Sequence, residues 1–300
     1  MGLKTGHTAR NGILAGLAAL FLLVFTGPLL ELMKYSLHPD HSRYNSHIVF
    51  IPFVSAYLLF LKRKQISEHR GFSISYGIPV IGAGILLFVA GIRAESFLNE
   101  TDFIFLRTFS IVICWIGGFI LFFGPHSFRV ALFPLLFLLF LAPVPTVLMG
   151  EAFLFLQAAS SEVSYLLFQL AGVPIAREGF TFHLPGLSIL IAPECSGMRA
   201  AISLFIVSVL ASHLFLRSVW HKIVAVSSVL PITILGNGTR IVALTLMALY
   251  VNPNFMKSKA LLHERGGWAL FLVDLILFGC VIAFLRKGEK IPGDFLKLKR

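Results

Sequence analysis

The sequence predicts an all-α polytopic membrane protein of about eight transmembrane helices carrying a small external β-hairpin. The first observation is composition: 57% of residues are hydrophobic and 13% charged, with a mean hydropathy of +0.87. Soluble domains carry about one-quarter charged residues. The second is a series of apolar runs, several of which reach the ~20 residues needed to cross a bilayer. The third is loop charge, which alternates from one run to the next as the positive-inside rule requires. One domain covering residues 1–300 is expected.

The runs fall at about 12–33, 46–61, 74–92, 103–123, 129–148, 196–216, 221–250 and 267–285. The first follows Lys4 and Arg10 and is too long for the apolar part of a cleaved signal peptide. It also lacks a clear small-x-small cleavage site, so it reads as an uncleaved span. The second is short. The seventh is too long for a simple span and is expected to kink around Pro231 or to project beyond the membrane. Basic stretches follow run two (LKRKQISEHR) and run six (HLFLRSVWHK), and a basic tail at 286–300 closes the chain. The loop after run three, RAESFLNETD, is net acidic. Both termini are therefore expected in the cytoplasm, with the loops after runs one, three, five and seven outside. The net charge of +11 is assigned to the cytoplasmic loops. Membrane lipids are expected partners and nucleic acid is not.

Residues 150–193 then form an external segment. EAFLFLQAASSEVSYLLFQLAG spaces its apolar residues as an amphipathic helix would, and is expected to lie in the membrane interface. Two β-rich runs follow, FTFHL and LSILIA, on either side of Pro185–Gly186. Proline then glycine at the centre of a turn suits type II, so a hairpin is expected. It delivers the chain to IAPECSGMRA.

That stretch holds the most informative cysteine. Cys114 and Cys280 lie mid-run and read as small buried apolar residues. Cys195 sits at a boundary among polar groups, after Pro193 and Glu194, where run six begins. A thiol at a helix N-terminus is expected to ionise more readily, and Arg199, four residues on, falls on the same face. Inside run seven, LGNGTRIVALTL carries Arg240, an expensive residue in an apolar run, with Asn237 one turn earlier. From His221, Arg240 is about 28 Å along a helix, near the outer surface. The loop after run seven ends in LLHERGGW, and its His263 exchanges protons near neutral pH. Singly, these residues have ordinary readings: a buried thiol, an arginine reaching headgroups, a surface histidine. Loop charge puts all three on the outer side. Together they form a set for covalent catalysis, in which Cys195 attacks a peptide carbonyl, His263 carries the proton and Arg240 stabilises the oxyanion.

Five stretches resemble the exosortase/archaeosortase family of membrane cysteine transpeptidases. SHIVFIPFVSAYLLFLKRK resembles its early Ser-His…Pro span, and FPLLFLLFLAPVP its central proline-bounded span. The hairpin with ECSGMRA resembles the nucleophile motif, GNGTR the arginine motif and HERGGW the histidine motif. The resemblance implies Cys195 as nucleophile, Arg240 and His263 as catalytic partners, and Asn237 as a supporting companion. Its implied partners are exported proteins with a C-terminal sorting signal: a short motif such as Pro-Glu-Pro (PEP-CTERM), a transmembrane helix and a basic tail. Cleavage would form a thioester on Cys195 before transfer to an acceptor. Family members often accompany exopolysaccharide systems, which implies the inner membrane of a Gram-negative bacterium with the site facing outward. No cofactor is implied. Many members carry a small residue before the cysteine, whereas this chain has Glu194, whose carboxylate opposes ionisation of the thiol. Ser46 and His47, near the outer face, are plausible neighbours of the substrate site.

Two other classes remain open in the sequence. A transporter would line its path with Arg240, Arg107 and Asp274, and a scaffold for polysaccharide export would need none of the three motif residues. His183 on the hairpin reads as structural or exposed. The sequence has no His-Glu-x-x-His, phosphate loop or Gly-x-Ser-x-Gly elbow, and no metal ligands are assigned.

Overall fold

The computed structural model describes residues 25–38, 41–68, 71–251 and 261–289, with the backbone alone at 42, 43 and 261–269. Residues 12–24 of the first expected run and 290–300 of the basic tail lie outside the described residues. The chain divides into two compact units, Met1–Leu148 and Met149–Arg300.

The N-terminal unit contains α1 (25–37), α2 (Ser42–Asn45), α3 (Ile51–Leu61), α4 (Arg63–Glu68), α5 (Ile74–Arg93), α6 (Glu100–Val130) and α7 (Leu132–Phe137). α5 buries Gly77, Gly84 and Gly91, one glycine every seventh residue, along the face that meets α6. A β-carbon on Gly84 would stand 2.5 Å from the Cys114 sulfur, and one on Gly117 2.7 Å from the Ile81 nitrogen. Small residues allow the close backbone approach by which helices associate in lipid. Arg107, a charge within α6, pairs with Glu31 and lies over the Phe103 ring, 4.9 Å from its centroid.

The C-terminal unit contains most of α8 (Thr146–Leu170), then β1 (Ala176–Glu178), β2 (Thr181–Leu184), β3 (Leu187–Leu190), α9 (Met198–Phe215), α10 (Val219–Ser227), α11 (Val229–Tyr250) and α12 (Leu261–Gly288). The expected hairpin is β2 and β3, with Gly186 at φ +79 as the second central position of a type II turn requires. His183 is exposed and meets Ser188 across the hairpin at 2.9 Å. β1 adds a third antiparallel strand that the sequence reading lacks. Phe182 of β2 is fully buried edge-on against Phe168 of α8. These rings centre a core of Val173, Leu184, Ile189, Ile191 and Val242, against which Cys195 packs.

Two expectations change. α8 turns its small polar residues inward, while Glu151, Glu162 and Gln169 stay exposed among apolar side chains. Gln157, Ser160, Ser161 and Ser164 are buried, while Leu154, Phe155, Leu166 and Leu170 are exposed. Its hydroxyls are satisfied inside: Ser161 donates to the Gln157 carbonyl and Ser164 to that of Ser160, both at 2.7 Å. The count of eight spans is also not reproduced among the described residues. Four stretches are long and apolar enough to cross a membrane: Ile74–Arg93, Glu100–Val130, Met198–Phe215 and Val219–Tyr250. A fifth arises if the bent pair Leu132–Leu141 and Thr146–Leu170 counts as one. The run at 46–61 is a shorter apolar helix, and that at 129–148 is interrupted at Pro143 and Pro145. The long Val219–Tyr250 stretch breaks at Ser228, between α10 and α11. Pro231 explains the break, because it has no N–H for the carbonyl four residues back, at Ser227. Cys280, expected to be buried, lies on the exposed side of α12.

The glycine seam is directly testable. Gly84→Val forces branched carbons into the Cys114 sulfur and should cost about 1–3 kcal/mol of stability. A lowered midpoint of thermal aggregation in detergent would register this; an unchanged midpoint would show that α5 and α6 do not depend on close approach at this point.

Candidate active site

Cys195 does not begin α9. It ends a 3-10 turn, Pro193–Cys195, that follows β3 after two residues. The Cys195 N–H donates to the Ala192 carbonyl at 2.8 Å and the Ser196 N–H to that of Pro193 at 3.0 Å. Gly197, left-handed at φ +84, separates this turn from α9. A thiol at the head of the helix is thus replaced by a thiol on a tight turn before it.

Gly197 is required twice, by its backbone conformation and by its neighbour. A β-carbon there would meet Asn237 carbons at 3.0 Å. The space admits Asn237, which is buried, and its Nδ2 donates to the Cys195 carbonyl at 2.7 Å. The nucleophile motif and the arginine motif are therefore joined by one hydrogen bond across 42 positions of sequence.

α8 holds both partners from behind. Gln157 donates to the Ile191 carbonyl at 2.6 Å and Ser160 to that of Ser196 at 3.4 Å, while the Ser164 hydroxyl, given chiefly to Ser160, lies 3.4 Å from that of Gly238. Gly238 lets the helices touch, since a β-carbon on it would lie 2.5 Å from Val163 Cγ1. Sequence reasoning missed these supports. The available signal was the helical spacing of polar residues at 157, 160, 161 and 164.

The electrostatics also differ from expectation. Burial pushes the Cys195 thiol above its ordinary range, Arg240's charge opposes that rise, and Glu194 adds to it. The thiol is not made more acidic at rest, and the cation that acts on it is Arg240 rather than Arg199. Arg240 lies within electrostatic reach of both Cys195 and Arg199. Arg199 is exposed in the first turn of α9, and Glu194 is exposed on the turn.

The structure brings Cys195, Asn237 and Arg240 together. His263 falls within α12, and its side chain lies outside the described residues. Ser46 and His47 belong to the N-terminal unit, in a 3-10 turn leading to α3, where His47 hydrogen-bonds to the backbone of Tyr44 and Phe140. Among the described residues, no three His, Cys, Asp or Glu side chains are grouped to hold a metal ion.

The family model for transmembrane exosortases (Exosortase_EpsH) matches residues 40–280. No curated protein and no solved structure matches the chain.

Two outcomes follow from this geometry. Asn237→Ala leaves the Cys195 carbonyl without its donor and should cost about 1–3 kcal/mol of stability. Denaturation of the purified protein measures it, and no change would mean that the bond contributes nothing. At a fixed pH below the thiol's pKa, Glu194→Gln should speed alkylation of Cys195 and Arg240→Ala should slow it, because one removes a repelling charge and the other an attracting one. Site-resolved mass spectrometry reads the rates; the opposite order would contradict the charge assignment.

Proposed function

We propose, from the premise that this chain belongs to the transmembrane exosortase family, that it is a cysteine protease or transpeptidase acting through a thioester on Cys195. The single observation that carries the mechanism is the convergence of the nucleophile and arginine motifs, bonded to each other at Asn237 and Cys195. In the proposed reaction the Cys195 sulfur bonds to the scissile carbonyl carbon. His263 accepts the thiol proton and returns it to the leaving amine as the C–N bond breaks. The acceptor, whether water, an amine or a lipid, then attacks the thioester and restores the thiol.

The resting thiol is protonated because burial disfavours the thiolate, so attack needs a base, the role given to His263. The oxyanion needs a donor. The N–H groups of Cys195 and Ser196 are already committed to Ala192 and Pro193. Arg240, whose charge reaches the thiol, is then the group for that task. The proposed substrates are exported proteins ending in a short motif, a transmembrane helix and a basic tail. The loop charges support a site on the outer face of the inner membrane, with both termini in the cytoplasm.

Trapping a covalent adduct on Cys195 in cells, and identifying the attached peptide by mass spectrometry, tests this reading. Cys195→Ala should abolish both adduct and processing. Arg240→Ala should lower acyl-enzyme formation about 10²–10³-fold, and His263→Ala about 10²–10⁴-fold, with the protein still folded. Processing that survives Cys195→Ala would exclude the thioester.

A further inference from the structure

A second ionisable group in the same unit has no part in this chemistry. Asp274 lies midway along α12 and is only 4% exposed. Its Oδ1 has no hydrogen-bond partner among the described residues. A buried carboxylate on an apolar helix is costly, and a leucine there would pack without that cost. Its position is specific. A β-carbon built on Gly236 would fall 2.2 Å from Asp274 Oδ1 and 2.9 Å from its Cγ and Oδ2. The carboxylate therefore fills the space that any residue other than glycine would occupy on α11.

Gly236 is the first residue of Gly-Asn-Gly-Thr-Arg. Asn237, the next, donates to the Cys195 carbonyl. Arg240 is one turn further on, and a helical side chain leans back toward the turn before it. α12 uses the neighbouring positions Phe271, Leu275, Phe278 and Ile282 to pack into the core shared with α9 and α11, so Asp274 sits on the inward face.

We propose that Asp274 is a positioning residue for the active site: its carboxylate seats in the gap at Gly236 and sets the rotation and height of α11 against α12. That setting places Asn237 under the Cys195 carbonyl and Arg240 beside the thiol. The inference rests on the proposed roles of Cys195 and Arg240, but the contact itself does not.

The test uses the full-length protein in nanodiscs and two readouts, the pH profile of Cys195 alkylation and the yield of trapped acyl-enzyme in cells. Asp274→Leu should stay folded by size exclusion. Its alkylation profile should shift toward that of Arg240→Ala, and its acyl-enzyme yield should fall at least about tenfold, as for loss of a transition-state donor. Gly236→Ala should do the same, because its methyl collides with the carboxylate. Combining Gly236→Ala with Asp274→Ala should recover part of both readouts, and Asp274→Asn, of the same shape, should retain most of them. An unchanged profile and yield in Asp274→Leu would overturn the proposal. So would an inactive Asp274→Asn with an unaltered profile, since the charge itself would then be what matters. Processing by Cys195→Ala would sink the thioester mechanism, while the alkylation profiles would still decide the role of Asp274.

Discussion

The site depends on one buried hydrogen bond, from Asn237 to the carbonyl of Cys195. Cys195 stands on a three-residue turn between a strand and a helix, and such a turn has little to hold it. Glycine at 197 gives the turn its left-handed exit and leaves the asparagine room to reach it. The bond fixes the main chain rather than the sulfur, so the side chain keeps rotational choice while its base stays in place. The arginine is brought to the same spot by belonging to the same helix as the asparagine, one turn later.

Behind this bond, α8 acts as a polar backing inside an apolar body. A bilayer offers little hydrophobic drive for helix association, so helices in lipid associate through close contacts and hydrogen bonds. The serines of α8 bond back to their own helix or across to Ser196 and Gly238, and Gln157 holds Ile191 where the strand gives way to the turn. The Ile191 and Ser196 carbonyls, on either side of Cys195, thereby gain side-chain donors. Between α5 and α6 the contact is set mainly by shape: glycines let the backbones close in, and the Cys114 thiol adds a weak bond to the Ile81 carbonyl at 3.8 Å.

Much of this was legible in the residues. Pro185–Gly186 between two β-rich runs specified the hairpin, and Pro231 specified an interruption that occurs three residues earlier, where its missing N–H is felt. Cys195 stands among polar neighbours in the sequence, and in the structure Asn237 of the arginine motif reaches its carbonyl. Other features are set by tertiary partners. Ala-Arg-Glu at 176–178 has no strand propensity of its own and becomes β1 only by pairing with β2. The polar stripe of α8 reads the same whether it faces water or protein, and only the carbonyls waiting opposite decide. Arg199 is close to the cysteine in sequence, yet the intervening left-handed glycine ends the helical continuity on which their expected alignment rested. Among the described residues, prolines at 143 and 145 divide one expected apolar run into shorter helices.

Burial of the nucleophile has a further chemical side. Peroxide and disulfides react with thiolates far faster than with thiols, and oxidation beyond the first step is irreversible. A cysteine that packs against this apolar cluster, and holds its proton at rest, is a slow target for either. Under the proposed mechanism, reactivity is confined to the moment when a bound peptide and a base are both present. The cost is a slower first attack. The return is a longer working life for the sulfur on which that mechanism depends.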